Sequence, residues 1–577
     1  MLLSGGSVPI SRSFPLTMVA GNAKAPSTRQ VPICCGRPPH RRMLRRRPDP
    51  VLASKPALRQ ARTQRSCAAQ PLMEPVLTST DASAKKKAAL DQSPTSGNRI
   101  KDFLANKHIF VTGSTGFCAK VFVEKLLREQ PNIGGLYLLI RARDGKTAQQ
   151  RLDELLSASL FDGLRLKMEP SQWETLKNKI HAVEGDMTLN QGGLEDGTRK
   201  HLQATINVVV NAAASTSFDE CYECALKVNA LSAQATAELA ASCEHLDCLV
   251  HVSTAYTGAN LNLEGMVPEQ LHGYALNCGN GSGNGSGQSK VPHSADTFSV
   301  AEEVDLTLRA RASGASDEDS KQLGITRARE LGYLDTYTLT KSMGEMLVSQ
   351  VARKARIPTA IIRPSIVEGT WEEPIPGWIE GNKSADPIIT LYGRGQIPGF
   401  PFKSPESVLD FIPVDFVSRA MVAAIWSAAS QDPDAGSTPR IYHVSSSGTQ
   451  NPMTMGMFAE GVSKAFQQQP VKKSEPPAQP FRLFPEPQQF LAGFESESKS
   501  VSIQARAQQL KKMVEIYQPY TMRTMRFSGR TVEQLNNSLQ PDEQAMCGLD
   551  FGRIDWIHYI SNIHIPGLRK HVFKDRW

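Results

Sequence analysis

The chain has 577 residues, more than one usual domain, which predicts about two to four domains. Its formal charge of +8 arises in the first 70 residues, where 13 of the 65 Lys and Arg residues lie with a single acidic residue, Asp49. The rest of the chain carries a net charge of −4, so the composition gives no case for nucleic-acid binding by the folded body.

The N-terminal segment is basic, acid-poor and rich in Ser, Ala and Pro, and it lacks the continuous apolar core of a secretory signal. This composition predicts an organelle transit peptide over residues 1–75 and a linker over 76–98. A disordered basic tail is the alternative, and composition alone leaves plastid and mitochondrion open. No run of about 18 apolar residues occurs, so no transmembrane helix is expected.

The ten cysteines are scattered, without the paired spacing of a disulfide framework or of a four-ligand zinc site. A reduced compartment is the simpler interpretation. Cys221 and Cys224 form a lone CxxC with no second ligand pair, so we expect structural thiols there and no metal site.

From Ile100 onward, short apolar segments alternate with amphipathic stretches: HIFVTG, LYLLIRAR, KIHAVEGD, INVVVNAAA and CLVHVSTAY. This alternation predicts a parallel, doubly wound α/β sheet, a Rossmann domain over residues 99–466. A Gly/Ser-rich run predicts a flexible surface insertion at 279–290. Pro, Gln and Lys then replace the periodic apolar residues, which predicts a linker over 467–500 before a small, mainly helical C-terminal domain over 501–577.

The segment after the first predicted strand has the spacing GxxGxxA and leads directly into an amphipathic helix. Glycines there allow a tight turn and let the backbone approach a pyrophosphate, while the helix N-terminus supplies donors and a positive dipole. A glycine pair alone is weak evidence, but its position between a strand and a helix favours a dinucleotide site. We expect cofactor contacts from Thr112, Gly113, Thr115, Gly116 and Phe117.

The second predicted strand ends in Arg141 and Arg143, where a dinucleotide fold usually places the residue that selects the ribose. A guanidinium suits the 2′-phosphate of NADP through forked, charge-assisted hydrogen bonds. The sequence therefore predicts NADPH as the cofactor, and two solvated arginines are the alternative.

Two further strand ends offer weaker candidates for the cofactor site. Asp186 and Met187 follow the third strand and would flank the adenine. Asn211 and Ala212 follow the fourth strand and would place small residues beside the cofactor. Each pair gains weight only from its place after a predicted strand.

A YxxxK pattern at Tyr337 and Lys341 supplies the groups that carbonyl reduction needs. Residues four apart share one helix face, so Lys341 is expected to lower the pKa of the Tyr337 phenol and to reach the ribose hydroxyls. Thr254, at the end of the fifth strand, would donate to the same substrate oxygen. YxxxK alone is frequent and usually marks a solvated helix face. With the glycine loop, Thr254 and an intervening Asn229 it becomes specific.

Together these residues resemble those of the extended short-chain dehydrogenases. The surrounding sequence segments are similar to those of one branch of that superfamily, the alcohol-forming fatty acyl reductases. The likeness covers about residues 99–450 through TGSTGFCAKVFVEKLL, NAAASTSFDE, HVSTAY, YTLTKSMGE, IIRPSIVEGTWEEPIPGWIEG and LDFIPVDFV. It resumes near IYQPY and in LDFGRIDWIHYISNIHIPGLRKHV, which looks like the family's small C-terminal domain. The chain departs from the family at Cys118 and Ala119, where Leu and Gly are usual.

The resemblance implies that Tyr337 donates the proton, that Lys341 is its electrostatic partner, that Thr254 stands on the oxyanion side and that Asn229 holds a water relay. It implies reduction of a fatty acyl thioester, on acyl carrier protein or coenzyme A, to a primary alcohol through an aldehyde, with two NADPH consumed. The plastid, male-sterility type is the nearest match. That type implies residence in the plastid stroma and alcohol for a pollen-wall polymer.

Other readings stay open beside this one. The chain is alternatively another extended short-chain dehydrogenase that stops at the aldehyde or acts on a sterol or sugar-linked ketone. A nonenzymatic NADP-binding scaffold is a further alternative, because fold alone does not decide function. Acyl chain length, the choice of carrier and the oligomeric state are left open by the sequence.

Overall fold

The computed structural model describes residues 97–259, 265–271, 298–431, 438–471, 479–494 and 501–575. The predicted transit peptide over 1–75 and the Gly/Ser-rich insertion at 279–290 lie outside the described residues, as does nearly all of the linker predicted over 76–98. The described residues belong to one compact unit.

A sheet of seven parallel strands forms the centre of this unit, in the order β3-β2-β1-β4-β5-β7-β11. The predicted doubly wound Rossmann architecture is therefore confirmed. The chain reverses direction across the sheet between β1 and β4, and ligands of such sheets bind beyond the carboxyl ends of the strands at this point. The strands of the sheet are β1 (His108–Thr112), β2 (Gly135–Ile140), β3 (Ile180–Glu184), β4 (Val208–Asn211), β5 (Cys248–Val252), β7 (Thr359–Pro364) and β11 (Arg440–Val444).

The central strands are apolar along their whole length because helices cover both faces of the sheet. Every residue of β2 and of β4 is buried. Along β1, Ile109 and Val111 join one apolar cluster while Phe110 joins another, so successive side chains enter the cores on opposite faces. This packing fixes the strand ends that carry the predicted site residues.

The helices fill the two layers and the C-terminal region, and none of those described is long and apolar enough to span a bilayer. The α-helices are Arg99–Leu104, Phe117–Glu129, Ala148–Leu156, Asp162–Lys167, Pro170–Lys177, Asp196–Thr205, Tyr222–Leu226, Ser232–Ala241, Val300–Ala312, Asp317–Glu330, Thr336–Ala355, Asp386–Gly393, Val414–Ala429, Met455–Gln468, Pro487–Ala492, Val501–Thr521, Arg530–Ser538, Pro541–Cys547, Trp556–His558 and Ile565–Gly567. Phe117–Glu129 is called the glycine-loop helix below, and Thr336–Ala355 the catalytic helix.

Three two-stranded parallel sheets attach the later parts of the chain to the Rossmann body. Strand β13, in the C-terminal region, pairs with β6, so this region is joined to the body by backbone hydrogen bonds. The strands of these pairs are β6 (Gly265–Val267), β8 (Ile366–Glu368), β9 (Gly399–Pro401), β10 (Phe411–Pro413), β12 (Arg482–Phe484) and β13 (Met525–Phe527).

Part of the segment predicted as a linker over 467–500 is folded onto the body. Its residues 479–494 contain β12, which pairs with β9, and the helix Pro487–Ala492. The aromatic side chains of Phe481, Phe484 and Phe490 are buried. The prediction of a linker is wrong for these residues, because three spaced aromatics supply an apolar face that the Pro- and Gln-rich composition conceals.

Candidate active site

The glycine loop joins β1 to the glycine-loop helix and lies against the loop after β4. Gly113 has a φ of +67°, and a Cβ there would come within 2.6 Å of Ala212 O and Ala213 N. Only glycine satisfies both the conformation and the space. Gly116 caps the thirteen-residue helix without a side-chain hydrogen bond, which leaves the positive end of the helix available to an anion.

The remaining residues of the loop are fixed by neighbouring elements. Phe117 stacks on the indole of Trp378 with ring centroids 5.7 Å apart. The Thr112 hydroxyl donates a 2.6 Å hydrogen bond to Asn211 Oδ1 and accepts one from the Ala213 amide. Thr115 lies half-buried between the two glycines. The residues predicted from the ends of β1 and β4 are thus brought together at the carboxyl edge of the sheet.

Arg141 and Asp186 meet across the ends of β2 and β3. The Arg141 side chain is 57% exposed, and its Nη1 lies 3.3 Å from Asp186 Oδ2. Although partial burial opposes it, hydrogen bonds from Thr188 and the Arg141 charge hold the pKa of Asp186 below its usual value. An exposed ion pair of this kind contributes little stability, so the guanidinium can exchange the carboxylate for another anion at small cost.

Arg143 and Met187 lie beside this pair in different surroundings. The Arg143 Nε is 3.5 Å from Asp144 Oδ2, and its backbone exchanges two hydrogen bonds with Lys146. Met187 is buried in the apolar cluster that contains Leu194. Arg143 is therefore on the surface near the strand end, whereas the Met187 side chain packs into the core.

Tyr337 and Thr254 meet at the carboxyl end of β5. Tyr337, in the first turn of the catalytic helix, lies close enough to Thr254 for the Thr254 side chain to act on the pKa of its phenol. The Thr254 hydroxyl also lies 3.4 Å from Pro364 O, at the end of β7. Two hydroxyls therefore lie near one another at this strand end, an arrangement that suits carbonyl reduction.

Burial raises the pKa of Tyr337, and the Asp335 carboxylate raises it further, while the nearby Thr254 side chain opposes them. The predicted direction, a pKa lowered by Lys341, is wrong for this structure. The Lys341 ammonium instead donates a 2.7 Å hydrogen bond to Val252 O. The phenol is therefore protonated at neutral pH, the form that can give a proton.

Lys341 is almost fully buried, at 1% exposure, and burial lowers its pKa to about 8. His251 lies nearby in β5, where burial and then the Lys341 charge hold its pKa well below the usual value. The imidazole is consequently neutral, and Asn211 Nδ2 lies 3.1 Å from its Nδ1. Sequence analysis missed His251, although its place in the strand HVSTAY, three residues before Thr254, is a signal.

Asn229 sits in a π-helical segment, Lys227–Leu231, that packs on the catalytic helix. Its Oδ1 accepts from Ser215 N at 2.8 Å, and its Nδ2 donates to Ser215 O and to Thr340 Oγ1. Asn229 thus ties the loop after β4 to the catalytic helix. Its role in a water relay stays a prediction.

A buried ion pair that sequence analysis missed anchors the catalytic helix to β7. Glu345, one turn after Lys341, accepts from Arg363 Nε at 2.9 Å and from its Nη2 at 2.6 Å. Thr257 donates to the same carboxylate at 3.2 Å. Both charged side chains are at most 2% exposed, so the pair holds the helix with little competition from water.

Cys221 and Cys224 are joined by a disulfide with Cα atoms 5.3 Å apart. The expectation of two structural thiols is wrong in this structure. Cys221 is the N-cap of the helix Tyr222–Leu226 and Cys224 lies in its first turn, so a spacing of three makes their side chains neighbours. Cys118 remains a thiol, and burial raises its pKa to about 11.

Known proteins match the chain over both the Rossmann body and the C-terminal region. A family described as male sterility protein, with an NAD-binding domain, matches residues 111–421, and a second with the same description matches residues 495–575. Fatty acyl-CoA reductase 2, chloroplastic, of Arabidopsis thaliana is 34% identical over 508 residues, covering 83% of this chain and 80% of that protein. The chain belongs to the fatty acyl-CoA reductase family. The alcohol-forming fatty acyl-CoA reductase of Simmondsia chinensis, 32% identical, shares 82% of this reductase and 98% of its own length.

A solved structure gives the same architecture. The terminal R domain from the myxalamid PKS-NRPS biosynthetic pathway superposes with a TM-score of 0.51 at 19% identity, covering 85% of this reductase and 99% of that chain. At this identity the likeness concerns the fold. The family resemblance, the Rossmann fold and a nicotinamide cofactor are thereby confirmed for this reductase, while the roles of its individual site residues stay predictions.

Proposed function

We propose that this reductase converts a long-chain fatty acyl thioester to the primary fatty alcohol with NADPH, through an aldehyde reduced at the same centre. The observation that carries the proposal is the meeting of Tyr337 and Thr254 at the carboxyl end of β5, beside an uncapped helix N-terminus. Membership of the fatty acyl-CoA reductase family supplies the substrate class.

The cofactor site is built for a dinucleotide. Gly113 and Gly116 leave the backbone open before the glycine-loop helix, where a pyrophosphate would receive N–H donors. Arg141 and Arg143 would hold a 2′-phosphate, and Arg141 would exchange its ion pair with Asp186 for that group. Asp186 with Met187 would adjoin the adenine, and Asn211 with Ala212 the nicotinamide side.

The residues of the chain orient the carbonyl and handle the proton. Bound NADPH supplies one hydride for each of the two reductions, so two NADPH are consumed per alcohol. Thr254 donates a hydrogen bond to the carbonyl oxygen, and Tyr337 gives its proton to the oxyanion as negative charge develops there. Loss of the thiol from the hemithioacetal leaves the aldehyde, which the same two hydroxyls bind for the second reduction. After each proton transfer, Lys341 stabilises the phenolate until Tyr337 regains a proton through water that Asn229 orders.

The location and the carrier extend the proposal. The basic, acid-poor residues 1–75 favour import into the plastid stroma, and an Arabidopsis thaliana relative carries a chloroplastic name. Stromal fatty acids are carried on acyl carrier protein, so we propose that carrier over coenzyme A. Supply of alcohol to a pollen-wall polymer follows from the male-sterility resemblance alone.

Purified enzyme with NADPH and thioesters of C12–C18 acyl chains on both carriers tests the proposal, with products identified by mass spectrometry. We expect primary alcohol, and aldehyde only in trace. Accumulated aldehyde, or turnover of a sterol or sugar ketone in place of the thioester, would overturn it. A fluorescent protein fused to residues 1–75 tests the targeting, which cytosolic fluorescence would contradict.

A further inference from the structure

The C-terminal region reaches the catalytic helix through Tyr520, near the end of the helix Val501–Thr521. The Tyr520 hydroxyl donates a hydrogen bond to Asp335 Oδ2. Asp335 is the N-cap of the catalytic helix, and its Oδ1 accepts from Thr338 N at 2.8 Å. One carboxylate therefore joins a C-terminal side chain to the turn that carries Tyr337.

Aromatic packing fixes the Tyr520 ring in this position. The ring lies edge-on to Tyr256 at 5.0 Å and to Phe218 at 5.7 Å. Phe218 in turn packs edge-on against Tyr337 at 6.0 Å. Tyr256 follows Thr254 by two residues, so the Tyr520 ring contacts the surroundings of both predicted catalytic hydroxyls.

We propose that Tyr520 is a positioning residue for the general acid: its hydrogen bond to Asp335 holds the first turn of the catalytic helix so that Tyr337 stays against Thr254. The C-terminal region thereby contributes a positioning residue to the active site. The inference rests on the proposed function, because Tyr337 acts as an acid only in that reaction.

The charges around this contact agree with the geometry. Burial raises the pKa of Asp335, and hydrogen bonds from Tyr520 and Thr338 oppose the rise. Burial and the charges of Asp335 and Cys118 raise the pKa of Tyr337 while the Thr254 side chain opposes the rise, and Tyr337 is itself among the groups that act on the pKa of Tyr520. Loss of the Tyr520 hydroxyl removes a donor from a half-buried carboxylate two residues before the acid, and an acceptor shielded from water that loses its partner costs free energy.

The test compares Tyr520→Phe with Tyr517→Phe in the full chain. Tyr517 lies one turn earlier in the same helix, and its partly buried phenol donates to Ser384 O at 2.6 Å, so each variant loses one phenol hydrogen bond and keeps the ring. We expect Tyr520→Phe to lower kcat about tenfold, within the range that misplacement of a reacting group causes. The KM values for NADPH and thioester should stay within about twofold, since the variant keeps the ring and the hydroxyl that it removes is bonded to Asp335. Tyr517→Phe should retain kcat.

A double-mutant cycle with Asp335→Asn identifies the partner, because residues that act through one contact have non-additive effects. The Asn side chain keeps an oxygen for Thr338 N. Equal kcat for Tyr520→Phe and Tyr517→Phe, or additive losses with Asp335→Asn, would overturn the inference.

Hydrogen exchange of the first turn of the catalytic helix separates this inference from the proposed function, since it needs no turnover. Exchange should quicken in Tyr520→Phe and not in Tyr517→Phe. Wild-type enzyme inactive on thioester and aldehyde would refute the proposed function, and the exchange rates would still decide whether Tyr520 holds the turn. Unchanged exchange in Tyr520→Phe would refute the inference alone.

Discussion

Lys341 donates a 2.7 Å hydrogen bond from its ammonium to the carbonyl of Val252, the last residue of β5 and two positions before Thr254. This bond ties the catalytic helix to the strand end that presents Thr254. Tyr337 precedes Lys341 by one turn of the same helix, so this bond also fixes the position of the proposed proton donor relative to Thr254. The burial that makes this bond strong also makes Lys341 sensitive to pH.

Turnover should decline above about pH 8, because burial lowers the pKa of Lys341 to about 8 and the ammonium loses its charge as the pH rises through that value. Below it the cation is present and can hold ribose hydroxyls and the phenolate. We expect kcat/KM for NADPH to show this alkaline limb. Lys341→Arg, whose guanidinium stays charged, should remove the limb even if its activity is lower. The same limb in that variant would assign the titration to another group.

Tyr337→Phe should lower kcat by about 10²–10⁴, the range for losing a general acid, because the substitution keeps the packed ring but removes the hydroxyl that donates the proton. Reduction of the thioester and of the matching aldehyde should fall together, since one centre serves both. Tyr333→Phe is a matched control: it removes a buried phenol that lies 2.8 Å from Ser342 Oγ, near the start of the same helix. Near-normal turnover of either substrate by Tyr337→Phe would show that a different group protonates that intermediate.

The sequence was enough to predict the sheet, because β2 and β4 are unbroken apolar runs. It was also enough to predict the glycine loop, because only glycine fits at Gly113. It could not reveal that Tyr520 reaches Asp335, since 185 residues separate the partners and each has an ordinary local pattern. The sequence also could not predict the direction in which the pKa of Tyr337 shifts. Spacing places Lys341 on the same face, but the ammonium turns to the Val252 carbonyl, and burial decides the shift.

Arg141→Ala should raise KM for NADPH by roughly ten- to hundredfold, since losing a guanidinium–phosphate contact costs about 1.5–3 kcal/mol. KM for NADH should change little, because NADH lacks the 2′-phosphate. Lys146→Ala is the control, as it removes an exposed cation from the same loop, where Lys146 pairs with Glu154. Initial rates with both cofactors measure the effect, and equal losses with NADPH and NADH would assign Arg141 a structural role.

Glu345→Gln should lower the free energy of unfolding by about 3–5 kcal/mol, because it leaves the Arg363 guanidinium buried without a counter-charge. The side chains of this pair are 0% and 2% exposed. Glu154→Gln, at the exposed pair with Lys146, should cost about 1 kcal/mol or less. Chemical denaturation of both variants checks the difference. Similar losses would mean that Arg363 is held by its other hydrogen bonds, to His443 and to Gln270 O.

The last prediction concerns Glu368, which is buried with Asp386 where the C-terminal region meets β8. His564, from that region, places its Nε2 2.9 Å from Asp386 Oδ1 and 3.7 Å from Glu368 Oε2. Burial, and then the charge of Asp386, raise the pKa of Glu368 well above its ordinary value. The folded protein therefore favours the protonated acid, and its stability falls as the pH rises from the ordinary glutamate value toward the raised one.

Glu368→Gln carries no charge and keeps an oxygen for the Ala385 amide, which lies 3.3 Å from Glu368 Oε1. The Tm of the variant minus that of the wild type should therefore increase from about pH 5 to about pH 8. In this range only the wild type has a carboxyl group at this position whose deprotonation destabilises the folded state. Glu380→Gln, at the exposed pair with Lys120, should show no such trend. Thermal unfolding across this range measures it. A Tm difference independent of pH would contradict the raised pKa of Glu368.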